Sequence, residues 1–488
     1  MKPSYRWPFL LSVALAVGLA LGLWLGDRGV TLDFSSRGIA LKKWREVLRT
    51  IDQEYVDPID VDSLVDVALS DVMGRLDPHS VYLPREEAKA LEEELSGSYE
   101  GIGIEYRMIR DTMAIVSVRG PASRVRLRPG DRILSVDGKS IVQWPSDSIT
   151  RLLKGKAGTP VAITYVRRGL SQPKKVVLKR ASISIPSIEV TRLDSGRMGY
   201  LRILRFGEHT TEEVEKALTL FSKRNLHGLV LDLRGNGGGF LWAGEQVADA
   251  FLSAGKTIVI TVNRQGEKYR TLSTAGGAYE KGKLIVLVDA ETASAAEIVT
   301  AALQENRRAV VWGQRTYGKG LVQDERVLSD GSRLRLTTSR YLTPRGHSIQ
   351  RPYKPMDPAT TSSPSGGIIP DVALPLDTFW VQNRWLAAFP VLETMESLVF
   401  VWADTDRATE NSPSTASTAT ISDDRLWQYL ETVGLGAYID RLDESVTERL
   451  REELRCLYVR QLFHHQAYVE ETLRSDAAIQ SVVAHWAK

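Results

Sequence analysis

Three stretches of this 488-residue chain are apolar at both parities of their alternation: residues 229–233, 257–262 and 284–288. Successive side chains of a strand point to opposite faces, so a strand apolar at both parities must be covered on both sides. Helical patterns follow the first and third, at 241–252 and 295–304. The chain from about 183 to 374 therefore reads as an α/β core.

Length alone suggests about three domains. Hydrophobic residues are 43% and charged residues 25%, which excludes a mostly disordered or collagen-like chain and a polytopic membrane protein. The 63 Lys and Arg nearly balance the 60 Asp and Glu, so charge gives no reason to expect a nucleic-acid partner. The single cysteine, Cys456, excludes an intrachain disulfide framework and a multi-cysteine metal site.

Around the α/β core the pattern changes. Leu41, Trp44, Leu48, Ile51 and Tyr55 recur at helical steps, and a second helix is expected over 61–76, ending before Asp77-Pro78. Short β-rich runs at 113–118, 132–136, 161–167 and 175–179, punctuated by Pro129-Gly130-Asp131 and Asp137-Gly138, describe a small β module. Residues 358–367 and 405–422 are low in complexity and read as a surface loop and a linker. Residues 426–486 are helical, with Val446, Leu450, Leu454 and Leu457 in one stripe. That region is expected to pack on the core, with a dimer contact or a docked partner as the alternatives.

At the N-terminus, Lys2 and Arg6 precede an uncharged run from Trp7 to Gly26. About 20 such residues suffice to span a bilayer, and the preceding basic residues orient the N-terminus to the cytoplasm. A cleaved signal peptide, cut near Gly18 or Ala20, is the alternative. The run continues past those residues, which favours a retained anchor. The expectation is a single-pass inner-membrane protein with its body on the periplasmic side and the lipid bilayer as a partner.

Chemistry concentrates in three segments of the core. Residues 231–239, Leu-Asp-Leu-Arg-Gly-Asn-Gly-Gly-Gly, run out of a strand; residues 292–298, Thr-Ala-Ser-Ala-Ala-Glu-Ile, open a helix; residues 316–323 read Thr-Tyr-Gly-Lys-Gly-Leu-Val-Gln. Taken singly, Ser294 reads as an N-cap, the glycines as a turn and Lys319 as a solvated loop residue. GxSxG, HExxH, GxxxxGKS and GxGxxG motifs are absent, and the scattered histidines argue against a metal site.

Together these segments resemble the LDLRxNxGG, SASxxE and TxGKGxVQ motifs of the carboxyl-terminal processing proteases, serine peptidases with an embedded PDZ domain. Residues 76–82 (Leu-Asp-Pro-His-Ser-Val-Tyr), 99–104 (Tyr-Glu-Gly-Ile-Gly-Ile) and 367–371 (Gly-Ile-Ile-Pro-Asp) resemble further family segments. The resemblance spans roughly residues 41–374. It implies a crotonase-like αββ protease core with an inserted, mostly-β PDZ domain; the N-terminal membrane helix and the C-terminal helical region, read from the residues themselves, lie outside it. The corresponding boundaries are 1–28 for the anchor, 29–82 for an N-terminal helical segment and 83–182 for the PDZ domain. The protease core follows at 183–374, a linker at 375–422 and the helical region at 423–488.

It further implies that Ser294 is the nucleophile, Lys319 its general base and Gln323 the residue orienting the lysine. The chemistry requires Lys319 to lose water, because an ordinary lysine near pKa 10.4 is a poor base at neutral pH. The oxyanion would be held by the N–H of Ala295 and one N–H from the Gly237-Gly238 turn, with the glycine left open. Gly101, Ile102, Gly103 and Ile104 would form the loop that captures a free, apolar peptide C-terminus. Where relatives carry small residues and a glycine, this chain has Ser123-Arg124-Val125-Arg126 before Leu127. No metal or other cofactor is implied, and homo-oligomerisation is left open. A catalytically silent PDZ tether is the competing function.

Overall fold

A computed structural model describes residues 36–193, 197–224, 226–352, 366–375, 377–408, 415–463 and 465–487. The apolar run 7–26 lies outside the described residues, as does most of the 358–367 stretch. Among the described residues no helix is long and apolar enough to cross a membrane. That finding overturns the expectation of a single-pass inner-membrane protein.

The chain divides into two units, Met1–Leu76 and Asp77–Lys488. In the first, helices Ser36–Glu54 and Val61–Gly74 appear where the periodicity puts them. The second starts when Asp60 caps its amides, its side chain accepting from Asp62 and Ser63 N–H. The stripe on the first helix is largely exposed, Leu41 at 69% and Trp44 at 47%.

The core sheet of the second unit has six strands in the order Ile188–Leu193, Met198–Ile203, Gly228–Asp232, Lys283–Val288, Val310–Gly313, Val372–Ala373. The first pair is antiparallel and all others are parallel. Alternation sorts the apolar side chains to two faces. Leu229, Leu231, Leu284, Val286 and Val288 pack against helices Thr210–Ser222, Leu241–Asp249 and Ala295–Glu305. Val230, Ile285 and Leu287 point the other way, onto Val469, Leu473, Ile479 and Val482 of the C-terminal helices His465–Ser475 and Ala477–Ala487. The tail is thus the second layer that the doubly apolar strands require, each such side chain contributing about 1.5–3 kcal/mol when fully buried.

The 257–262 run behaves differently. It forms Thr257–Asn263 in a separate antiparallel sheet, between Arg333–Leu342 and the edge strand Lys268–Leu272. Only Ile258, Val259 and Ile260 are buried there, so its composition reflects partial cover. The same sheet carries Leu321–Val327 and Val81–Leu83, both paired with the 333–342 strand.

Between these elements lies a β domain of strands Ile104–Ile109, Thr112–Val118, Arg132–Val136, Pro160–Val166 and Lys174–Lys179, closed by helices Gly120–Arg124 and Ser146–Leu153. Met113, Ile115, Ile133, Ile149 and Ile163 fill its interior. Much of the stretch expected as a linker, 375–422, is helical: Val391–Ala408 buries Val391, Met395, Val399, Trp402 and Ala403 against the 423–433 and 444–462 helices. Those apolar positions follow a helical step, a signal hidden beside the Ser/Thr-rich residues after 408. This bundle also grips the β domain through Glu396 on Arg107 (3.1 Å), Arg407 donating to Pro129 O (3.1 Å), and Phe400 beside Ile109 and Ala114.

Candidate active site

The 295–305 helix begins at Ser294, which takes φ +57° and ψ −118°. A side-chain-bearing residue in this region stores about 1–3 kcal/mol of strain, which persists only where its surroundings dictate it. They do. Thr292 Oγ1 donates to Leu233 O (2.9 Å), Ala293 N to Asn236 O (2.9 Å), and Asn236 Nδ2 to Ile203 O (2.8 Å). The glycine turn after the 228–232 strand and the residues before Ser294 are therefore one interlocked unit.

Glu297 joins this unit to the Lys319 loop. Its carboxylate accepts from Ser294 N–H (2.9 Å), Thr316 Oγ1 (2.6 Å), Gly318 N–H (2.8 Å) and Lys319 N–H (2.9 Å). Burial raises its carboxyl above the ordinary value, opposed by those four hydrogen bonds. Behind it the buried Tyr341 hydroxyl donates to the carbonyls of Ser294 (3.1 Å) and Lys319 (2.5 Å). Two side chains thus fix the backbones of Ser294 and Lys319 against each other.

Burial pushes the Lys319 ammonium below the ordinary lysine value, and the positive charge of Arg335 pushes the same way against Asp77 and Glu297. Gln323 sits in the adjoining strand opposite Thr337, its Nε2 buried without an acceptor among the described residues. Thr337 Oγ1 donates to Asp77 Oδ1 (3.1 Å), and Thr337 N–H to Ser80 Oγ (3.0 Å). The 77–80 turn is thereby set beside the lysine. Burial lowers the imidazolium pKa of His79, and the nearby Lys319 charge adds to the effect.

Of the two candidate oxyanion glycines, Gly238 donates its N–H to Asn236 Oδ1 (2.8 Å), whereas the Gly237 N–H has no acceptor among the described residues. Ala295 N–H, at the first position of its helix, likewise has none, as helix starts leave it. Glu297, Tyr341, Asn236 and the 77–80 turn have no assigned role in the sequence reading. Glu297 alone carried a local signal, its position three residues after an N-cap serine.

Gly101, Ile102, Gly103 and Ile104 line a cleft of about 440 Å³ together with Tyr106, Thr150, Leu153 and Lys154 of the β domain and with Glu93 and Arg205 from outside it. Gly103 needs its φ of +78° and its missing side chain, since a Cβ there would lie 2.4 Å from Arg119 O. The Tyr106 hydroxyl is hydrogen-bonded to Thr150 Oγ1 (2.6 Å). Lys154 is ion-paired with Glu93 of helix Arg85–Ser96. In the unusual 123–126 segment, Arg126 takes φ +61°, a conformation that a glycine adopts more readily.

Cys456 is no rival nucleophile: it is buried and its thiol is pushed up to about 12, chiefly by burial. Among the described residues no group of three or more His, Cys, Asp or Glu could hold a metal ion.

A strained serine at a helix start shares one glutamate with a partly buried lysine beside a glycine turn, an arrangement compatible with a serine-hydrolase type of site. The profile of peptidase family S41 matches residues 197–373, and that of the PDZ domain matches residues 101–178. A probable CtpA-like serine protease of Staphylococcus haemolyticus is 32% identical over 344 residues, 70% of this chain and 68% of its own. The carboxy-terminal processing protease CtpB of Bacillus subtilis is 33% identical over 65% of this chain and 67% of its own length. Among solved structures, the photosystem II D1 C-terminal processing protease is 30% identical, with a TM-score of 0.39 over 68% of this chain and 86% of that one. The chain belongs to peptidase family S41, in its carboxyl-terminal processing group. It is a serine endopeptidase with a mixed α/β protease fold, a PDZ domain and a helical C-terminal region.

Proposed function

We propose that this endopeptidase engages polypeptides by their free, apolar C-termini through the PDZ cleft and cleaves them with Ser294 as nucleophile and Lys319 as general base. The observation that carries the reading is Glu297, which accepts from the backbones of both Ser294 and Lys319. Neutral Lys319 takes the proton of Ser294 Oγ as that oxygen bonds to the scissile carbonyl carbon. The oxyanion is received by the N–H groups of Ala295 and Gly237, the two left without acceptors. Collapse breaks the C–N bond, the lysine returns the proton to the leaving amine, and water then hydrolyses the ester by the same proton route. Gln323 orients the lysine. In the PDZ cleft, the 101–104 loop offers backbone N–H groups to a terminal carboxylate while Ile104 and Leu153 line the space for an apolar last residue.

Purified protein is expected to cleave an unfolded substrate with an apolar C-terminal tail and to act more slowly when that terminus is amidated. Ser294→Ala and Lys319→Ala should each lower kcat by at least ~10³-fold. Full activity in either variant overturns the catalytic assignment, and indifference to amidation overturns C-terminal recognition.

A further inference from the structure

The Arg234 guanidinium, at the start of the glycine turn, lies between two carboxylates that are distant in sequence. Its Nε donates to Asp232 Oδ1 (2.9 Å) and Oδ2 (3.1 Å), and its Nη2 to Asp232 Oδ2 (2.6 Å). On its other side Nη1 and Nη2 donate to Asp476 Oδ1 (3.2 Å) and Oδ2 (2.7 Å). We infer that Asp476, supplied by the C-terminal helical region, is a positioning residue that holds the glycine turn in its catalytic geometry by clamping Arg234. The inference rests on the reading of Ser294 and the Gly237 N–H given above.

Three observations carry it. Asp476 is itself rigid, since it caps helix Ala477–Ala487 by accepting from Ala478 N–H (2.9 Å) and Ile479 N–H (3.1 Å). The docking of that helix does not depend on the ion pair: Ile479 and Val482 are fully buried on the sheet, and Gly228 leaves room for the Trp486 ring. A partly exposed ion pair adds little stability, but a two-point carboxylate–guanidinium contact fixes orientation. Finally, Arg234 leads directly into the turn. Gly235 N–H donates to Asp289 Oδ2 (2.9 Å), Asn236 locks residues 203 and 293, and Gly238 abuts Ser294. A guanidinium free to swing about Asp232 would loosen the first link of that series.

Asp476→Asn isolates this role. Asparagine caps a helix as well as aspartate does but removes the charge facing Arg234. In the full-length chain, Asp476→Asn is expected to lower kcat about tenfold with KM within twofold and with the thermal midpoint close to that of the parent. Asp476→Glu should recover part of the loss. Val482→Ala, a lesion confined to docking, should lower the thermal midpoint while leaving kcat within twofold. The proposal is overturned if kcat of Asp476→Asn stays within twofold of the parent. It is equally overturned if the loss merely follows the thermal midpoint, as a docking defect would, or if Asp476→Asn does not fold. Activity in Ser294→Ala, measured alongside, would instead overturn the underlying site assignment.

Discussion

Gly238 faces Ser294 with no room for a side chain: a Cβ at position 238 would lie 2.7 Å from the Ser294 Cβ and 3.2 Å from Ala295 N. The backbone at Gly238 has φ +105°, which side-chain-bearing residues rarely adopt. The turn and Ser294 are therefore a single packed object, and neither can move alone. Gly238→Ala should force them apart, lowering kcat by roughly 10²-fold and stability by about 1–3 kcal/mol. Steady-state kinetics with chemical denaturation would test this, and an alanine variant with unchanged kcat would refute the coupling.

Glu297 is surrounded by four donors and has no donor to offer in return. Glu297→Gln replaces one acceptor oxygen by an NH₂ that must face N–H or O–H groups, leaving buried donors unpaired. The expected loss is about 2–4 kcal/mol of stability, with kcat reduced in parallel because Ser294 and Lys319 lose their common anchor. Differential scanning calorimetry and kinetics on one preparation would show it. A fully stable and active glutamine variant would mean the carboxylate is not the organising group.

The pH profile should report Lys319. Its value is lowered chiefly by burial and next by Arg335, so the base form is populated at lower pH than for a free lysine, and kcat/KM should rise as pH rises through that lowered value. Arg335 is itself paired with Glu325, Nε to Oε1 at 2.9 Å. Arg335→Gln removes a cation, so the ascending limb should move to higher pH. Glu325→Gln leaves Arg335 uncompensated, and the limb should move to lower pH. Unmoved or reversed limbs would exclude Lys319 as the titrating base.

The contrast between what could and could not be read from sequence follows from the range of each interaction. Ser294 and Lys319 lie in local motifs, and the helix after Ser294 begins where its residues indicate. The requirement for two covered faces was visible at 229–233 and 284–288, and the helical tail was expected to pack on the core; that residues 469–482 in particular cover this face of the sheet was not visible, because an apolar stripe does not name the surface it meets. Asp77 and Thr337 are 260 positions apart and meet only because the 81–83 and 333–342 strands pair. The proposal of Gly237 over Gly238 rests on one hydrogen bond, Gly238 N–H to Asn236 Oδ1, that no spacing rule encodes. The 257–262 run misled for a related reason: three successive buried residues look the same in a strand covered on both faces and in one that is partly covered.

Lys319 should destabilise the fold that uses it. The ammonium is held below its ordinary value of 10.5, so between its folded value and 10.5 the folded chain binds fewer protons than the unfolded one. Stability of the parent therefore rises with pH across that window, and the penalty is fully present below the folded value. Lys319→Met keeps most of the volume and removes the charge. On the proposed role it should be inactive, yet it should melt at a higher temperature than the parent at neutral pH, as is common when a group held at a cost to stability is removed. The difference should shrink as pH approaches 10.5, where the unfolded lysine also becomes neutral. Paired melting curves at several pH values would measure it. A methionine variant less stable than the parent would mean that Asp77 and Glu297 more than offset the desolvation of the lysine, and a difference independent of pH would mean that folding leaves the lysine unshifted.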